Sequence, residues 1–220
     1  MSHPTPRVAL IHAVYVAMAP VEAAFAALWP EARRVNLIDD ALPADLEADG
    51  QLTAAMEERI ERLAQHAISS GAKGVLFTCS AFGDAIAKAA AVATVPVLKP
   101  NEAMFEAALK SGGRIGMLGS FAPAMPSMEE EFHAMAGARG VKASLVTLCV
   151  PDAMAAARTG DIATHNRLLA EAAPQLAGCD AVMLAHFSTS TALEAVSARL
   201  TCPVLSAPRA AVAALKALIA

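Results

Sequence analysis

The sequence predicts an α/β fold made of two pseudo-symmetric modules, each built around a parallel sheet. Short runs rich in Val, Leu and Ile alternate with longer segments of helical period, which is typical of strand and helix units in parallel sheets. The pattern occurs twice along the chain at a constant spacing. The chain has 220 residues, of which 56% are hydrophobic, so it can bury a sizeable core.

The two halves of the chain align with each other without gaps. Arg7 falls on Arg114, and this offset of 107 residues is kept from the first strand of each half to the last. Three pairs of segments share it: 7–11 with 114–118, 74–79 with 181–186, and 94–98 with 201–205. One register across separate segments indicates an internal duplication. We therefore predict an N-terminal module at residues 1–111, whose final helix can pack on the other half, and a C-terminal module at residues 112–220.

Each half contains four predicted strands separated by helices. The strands are expected at residues 8–11, 35–38, 75–78, 95–98, 115–118, 143–148, 181–184 and 204–205. Apolar side chains recur at steps of three to four between Leu52 and Ile68, which predicts a helix with one face on the sheet. Ser127 and Glu130 have the spacing of a capping box, and Gly112 marks the end of the last helix of the first half.

Composition argues against several classes of partner and cofactor. A net charge of -4 and 4% aromatic residues provide neither a basic surface nor stacking platforms for nucleic acid. Charged residues interrupt every apolar run before the ~18 residues of a membrane span. Four cysteines without CxxC spacing fit reduced thiols in the cytoplasm and no zinc site. No P-loop, GxGxxG or HExxH motif occurs, so we predict neither a cofactor nor a metal.

Cys79 and His186 occupy equivalent positions in the repeat, each at the end of the third strand of its half. Ligands of open parallel sheets bind beyond the carboxyl ends of the strands. We therefore predict that the two residues face a shared cleft between the modules and approach one ligand from opposite sides. Cys79 also precedes a helix, whose N-terminus is expected to lower the thiol pKa. The structural alternatives are a buried free cysteine and a hydrogen-bonded core histidine.

Polar residues near these strand ends are the other candidates. The hydroxyl cluster from Ser188 to Thr191 is typical of helix N-caps, and its members, with free backbone N–H groups, can also hold a carboxylate. The predicted substrate-binding residues are His12, Ser80, Ala81, Ser120, Phe187, Ser188 and Thr189. Weaker candidates, which as caps or loop residues need no function, are Asp39, Asp40, Asn101, Glu102 and Ser206. We interpret the other three cysteines as structural.

These motifs resemble the aspartate/glutamate racemase superfamily, which includes hydantoin racemases, maleate isomerases and arylmalonate decarboxylases. The segment from Gly74 to Ser80, GVLFTCS, is similar to the first cysteine motif of that superfamily. The segment from Asp180 to His186, DAVMLAH, is similar to the second, with histidine in place of the cysteine. Segments 8–12 and 36–40 also resemble one branch, so the likeness spans almost the whole chain.

The resemblance implies cofactor-independent proton transfer next to the carboxylate of a small carboxylic acid, with one acid–base residue on each face. In this sequence the pair would be Cys79 and His186, an unlike couple in place of two thiols. His12 stands where amino-acid racemases of this group carry an acidic residue. Both departures argue against amino-acid racemisation.

Several reactions stay open for such a pair. Cys79 can be one of two proton carriers, can attack an unsaturated diacid covalently as in the cis–trans isomerases, or can protonate the enediolate left by a decarboxylation. A lyase or hydrolase with Cys79 as nucleophile and His186 as base is a further alternative. So is a relative that binds a carboxylate without turning it over. Alanine-rich helices leave small-residue surface for a homodimer.

Overall fold

The computed structural model describes residues 5–219 and confirms the predicted α/β class. Within these residues the strands form two four-stranded sheets, and every neighbouring pair of strands is parallel. The strands are β1 (Arg7–His12), β2 (Arg33–Ile38), β3 (Gly74–Phe77), β4 (Val97–Leu98), β5 (Arg114–Gly119), β6 (Ser144–Cys149), β7 (Ala181–Leu184) and β8 (Val204–Ser206). The α-helices are α1 (Met18–Leu28), α2 (Leu42–Asp49), α3 (Ala54–Ser69), α4 (Gly83–Val92), α5 (Glu102–Ser111), α6 (Met125–Ala138), α7 (Pro151–Arg158), α8 (Ile162–Ala172), α9 (His186–Thr189), α10 (Leu193–Ser197) and α11 (Ala207–Ile219).

The described residues group into two compact units. Unit 1 holds residues 5–102 and 211–219, and unit 2 holds residues 103–210. This grouping by contact differs from the predicted division at residues 111 and 112, because α5 groups with unit 2 and most of α11 with unit 1. The module boundaries of the duplication stay a prediction, since they concern the ancestry of the sequence and the units concern its packing.

Unit 1 is organised around β1, which lies between β2 and β3 in the order β2-β1-β3-β4. Residues of β1 and β3 are buried because both strands have neighbours on each side and helices on their faces. One face carries Ala9, Ile11, Val75 and Phe77, which pack in a cluster with apolar residues of α3 and α4. The side chains of β1 and β3 that alternate with these point to the other face.

Unit 2 repeats this arrangement with the order β6-β5-β7-β8. The register places Leu118 beside Leu184, and both pack in a cluster with apolar residues of α8 and α10. The matching strand order of the two sheets is consistent with an internal duplication.

The strands predicted from apolar runs are confirmed to within a few residues. β4 contains only Val97 and Leu98, because Pro96 has no N–H to donate, although its carbonyl accepts from the Val75 N–H at 2.8 Å. The predicted amphipathic helix is α3, whose N-cap residue Thr53 accepts from the Met56 N–H at 3.4 Å.

The predicted capping box at the start of α6 is wrong. The helix begins at Met125, two residues before Ser127, and the Ser127 hydroxyl donates to the Ala124 carbonyl at 3.1 Å. Pro123 and Pro126 already favour a helical start upstream of Ser127, since proline suits the first turn of a helix.

Candidate active site

Cys79 lies two residues beyond the end of β3 in unit 1. The ladder with β1 extends to Thr78, whose N–H donates to the Ile11 carbonyl at 3.0 Å. Cys79 itself is extended, with φ -119° and ψ 121°, and leads into a short 3-10 turn at Ser80–Phe82 before α4 begins. Its side chain is half-buried and packs against the apolar cluster of unit 1. The thiol is therefore held at the carboxyl edge of the sheet, as predicted.

The predicted lowering of the Cys79 pKa is wrong. Burial raises the pKa of this thiol, and the nearby Ala81 backbone N–H offsets only part of that effect. The helix that was expected to stabilise a thiolate, α4, starts only at Gly83, and the Cys79 side chain does not cap the turn before it. Desolvation therefore dominates, and Cys79 is a protonated thiol at neutral pH.

His186 lies two residues beyond the end of β7 in unit 2 and starts the short helix α9. The Ala185 N–H donates to the Leu118 carbonyl at 2.9 Å, so the sheet extends to the residue before it. Among residues 5–219, His186 is the one non-glycine residue with positive φ, at 70°. Such a conformation costs about 1–3 kcal/mol and is often found at functional sites.

The imidazole of His186 has no internal hydrogen-bond partner. Both Nδ1 and Nε2 are buried without a partner in the described chain. Burial lowers the pKa of His186, and the Ala185 backbone, which does not meet hydrogen-bond geometry with the ring, offsets only part of that effect. The ring is therefore neutral at pH 7, with one nitrogen able to accept a proton and the other able to donate a hydrogen bond. The structural alternative was a core histidine bonded within the protein, and the unpaired ring nitrogens do not fit it.

His12 is the last residue of β1, and both of its ring nitrogens are bonded within unit 1. The side chain is 1% exposed, with Nδ1 2.9 Å from the Thr78 hydroxyl and Nε2 2.9 Å from Oδ1 of Asn36. Asn36 donates from Nδ2 to the Glu22 carboxylate at 3.2 Å. Burial lowers the pKa of His12, so the neutral ring donates to Asn36 and accepts from Thr78. A substrate contact through the ring has to break one of these bonds.

Ser120 and Ser206 are buried serines at strand ends of unit 2. Ser120 follows β5, Ser206 ends β8, and the two are 1% and 2% exposed. Neither hydroxyl has a hydrogen-bond partner in the described chain. Ser120 was predicted to bind substrate, whereas Ser206 was only a weak candidate.

The hydroxyl cluster after His186 was expected to cap a helix, and it does not. Ala185 occupies the N-cap position of α9, and the hydroxyls point back along the chain instead. Thr189 donates to the Ala185 and His186 carbonyls, and Ser190 donates to the Phe187 carbonyl at 2.6 Å. The hydroxyl proton of Thr189 is therefore committed to closing the turn that carries His186.

The remaining predicted substrate-binding residues differ in exposure. Ser80 and Ala81 are exposed beside Cys79 in unit 1. In unit 2, Phe187 is buried and Ser188 is half-buried. Each unit thus holds one cluster of the predicted residues around its own strand ends.

One polar residue of unit 2 was missed by the sequence reasoning. His165 of α8 is 1% exposed, with Nδ1 2.8 Å from Asn166 Oδ1 and Nε2 buried without a partner. Asn166 donates to the Thr191 carbonyl at 2.9 Å, which ties α8 to the segment after His186. The signal was available, because His165 and the buried Leu169 lie four residues apart and share one face of the helix.

Two features are absent from the described residues. Residues 5–219 contain no cluster of three or more His, Cys, Asp or Glu side chains arranged to hold a metal ion. Over the same range, no helix has the length and apolar character needed to cross a bilayer.

Comparison with known proteins identifies related sequences and folds. A family model described as Asp/Glu/hydantoin racemase matches residues 17–146, more than half of the chain. None of the curated proteins matches the sequence.

The fold is similar to that of several solved structures. Allantoin racemase from Klebsiella pneumoniae superposes with a TM-score of 0.71 at 18% identity, over 98% of this chain and 88% of that protein. An aspartate racemase homologue from Pyrococcus horikoshii also reaches 0.71, at 13% identity over 98% and 99% of the two chains. Arylmalonate decarboxylase reaches 0.64 at 18% identity, over 98% and 93%. These likenesses confirm the fold.

Proposed function

Because the chain belongs to the Asp/Glu/hydantoin racemase family and is an enzyme of racemase or isomerase type, we propose that it transfers a proton next to the carboxylate of a small carboxylic acid. The reaction uses no cofactor, and the two acid–base residues are Cys79 and His186, one from each unit. A cytoplasmic location and a homodimer are part of the proposal. The former is supported by four free cysteines.

The assignment of acid and base rests on one observation, which is that burial shifts the pKa values of Cys79 and His186 in opposite directions. It raises the pKa of the Cys79 thiol and lowers that of the His186 imidazole. At neutral pH the free protein therefore holds a proton on sulfur and a free lone pair on nitrogen. Two titratable groups whose environments separate their pKa values in this way suit a division into acid and base. His186 is the base and Cys79 is the acid.

The proton balance follows from these resting states. The His186 lone pair takes the α-proton, and the electrons of the C–H bond move into the carboxylate to form an enediolate. The Cys79 thiol then gives its proton to the opposite face of the carbon. Imidazolium and thiolate remain, which is the starting state for the opposite enantiomer. Exchange of both groups with solvent restores the first state.

The enediolate needs hydrogen-bond donors, because negative charge develops on the carboxylate oxygens. The hydroxyls of Ser80, Ser120 and Ser188 are the candidates. Of these, the Ser120 hydroxyl is the best supported, since it is buried and has no partner among residues 5–219. Thr189 supports the site indirectly, by closing the turn that carries His186.

Decarboxylation of a small diacid is the second candidate. Loss of carbon dioxide also leaves an enediolate, and a protonated thiol such as Cys79 can quench it without a partner base. The raised pKa of Cys79 favours this role over covalent attack on an unsaturated diacid, since the thiolate is the nucleophile.

The direct test is hydrogen exchange in deuterium oxide. The protein is incubated with single enantiomers of malate, lactate, mandelate and aspartate, and the α-proton signal is followed by NMR. We expect exchange with at least one acid, together with the appearance of its other enantiomer. A parallel incubation with methylmalonate and phenylmalonate detects release of carbon dioxide. A ligand that stabilises the protein and is recovered without exchange would identify a binding protein instead.

The assignment of acid and base predicts a broad pH optimum for kcat/KM, which reports the free enzyme. Activity is lost as pH falls through the lowered pKa of His186, because the imidazolium cannot accept a proton. It is lost again as pH rises through the raised pKa of Cys79, because the thiolate cannot donate one. The acid limb should therefore lie below about 6.5 and the alkaline limb above about 8.5. Activity that increases as Cys79 deprotonates would instead indicate a nucleophilic cysteine.

A further inference from the structure

The buried polar side-chain atoms without hydrogen-bond partners are concentrated in one place. Among the described residues they belong only to Ser120, His165, His186 and Ser206, all of which lie in unit 2. Three of the four residues lie at the carboxyl ends of neighbouring strands, Ser120 at β5, His186 at β7 and Ser206 at β8. These strands are consecutive neighbours in the sheet. Most buried polar groups are paired in native proteins, so an unpaired group of this kind calls for a ligand or an ordered water.

The register of the sheet brings the two serines to one face. Leu118, Leu184 and Ser206 are direct partners across β5, β7 and β8, so their side chains point to the same side. Ser120 follows Leu118 by two residues, which returns to that same side in an extended strand. His186 follows Leu184 by two residues, but its left-handed backbone ends the extended run, so the register sets its place along the sheet edge and not the direction of its ring. The two hydroxyls and the imidazole therefore belong to three neighbouring strand ends at one edge of the sheet.

Ser206 lies at a position where serine usually caps a helix. It directly precedes α11, a helix of 13 residues. A serine in this position normally accepts a hydrogen bond from the first turn of the helix. The Ser206 hydroxyl makes no such bond, although it is 2% exposed. β8 also contacts α9, the short helix that His186 starts. The serine is thus placed beside the candidate base and left without a structural partner.

We propose that Ser120, His186 and Ser206 form an oxyanion-binding subsite within unit 2, in which Ser206 is a substrate-binding residue that binds a carboxylate oxygen of the ligand. All three groups can donate a hydrogen bond, and none of them is a carboxylate, so the set suits an anion. This inference rests on the proposed function for the class of ligand. The carboxylate that occupies the subsite is the one next to the reacting carbon, since Ser120 is also the best supported donor to the enediolate.

The proposal predicts that Ser206→Ala has opposite effects on the empty and the ligand-bound protein. Removing an unpaired buried hydroxyl should stabilise the free protein, raising Tm by about 2–4 °C. The same change should weaken malonate binding by about tenfold, because one donor to the carboxylate is lost. Thermal unfolding and calorimetric titration with malonate measure the two effects. Ser197→Ala, an exposed serine of α10, is the matched control and should change neither.

The possible results separate clearly. A lower Tm in Ser206→Ala, or malonate binding equal to that of the wild type in this variant, would overturn the proposal, as would a wild type that malonate does not stabilise. Ser206→Cys keeps the shape of the side chain but has a weaker hydrogen-bond donor. Its affinity for malonate should lie between those of the wild type and Ser206→Ala. Because the readouts are binding and stability, failure here is distinguishable from failure of the proposed function, whose readout is exchange at the α-carbon.

Discussion

Replacing Cys79 by alanine is expected to lower the rate of racemisation by about 10²–10⁴-fold, the usual contribution of a positioned acid–base group. In the proposed reaction the thiol is the proton donor on one face of the substrate, and no other group of its turn can replace it. Ser80 is exposed, and Ala81 contributes a backbone N–H. Chiral chromatography of the reaction mixture measures the loss.

The control for this variant is Cys149→Ala. Cys149 is also a free, half-buried cysteine at the carboxyl end of a strand, β6, and burial raises its pKa as well. It should keep wild-type activity. Both variants should unfold within about 2–4 °C of the wild type, the shift that accompanies about 1 kcal/mol in a chain of this size. Equal loss of activity in both would mean that thiol removal acts through folding.

Replacing His186 by asparagine is expected to abolish racemisation to a similar extent while exchange survives for one enantiomer. Asparagine tolerates positive φ, so the turn that His186 starts can be kept, but an amide cannot accept the α-proton. The variant retains Cys79, whose thiolate, formed above its raised pKa, can still exchange the enantiomer whose proton faces it, with retention of configuration. At alkaline pH in deuterium oxide the His186→Asn protein should therefore exchange one enantiomer and leave the other untouched.

The Cys79→Ala protein provides the mirror-image result. It retains His186, so it should exchange the enantiomer that His186→Asn does not. His133→Asn, the same substitution on α6, should behave as wild type. If both variants exchange the same enantiomer, the two residues do not serve opposite faces and the assignment of one residue to each face is wrong. Loss of all exchange in His186→Asn alone would leave His186 as the one essential base, as in a mechanism with a single proton carrier.

The sequence was sufficient for the parts of this protein that depend on local pattern. Hydrophobic runs of two to six residues located the strands, and parallel topology then placed Cys79 and His186 after equivalent strands in the two sheets. The repeat at one offset indicated an internal duplication, and the matching strand order of the two sheets is consistent with it. These features could be predicted because strand formation and side-chain alternation are set by residues close together in the chain.

Other properties depended on packing between distant segments. Burial raised the pKa of Cys79, whereas the helix that follows it had been expected to lower that pKa. The Ser206 hydroxyl lacks the hydrogen bond that a helix cap would make. The positive φ of His186 had no sequence signal, and the bonds of His12 required Thr78 and Asn36 to meet it from other strands. Local pattern located the side chains at the sheet edges. Their protonation and free hydrogen-bonding capacity followed from the fold, because desolvation and polar satisfaction depend on every group that surrounds an atom, wherever it lies in the chain.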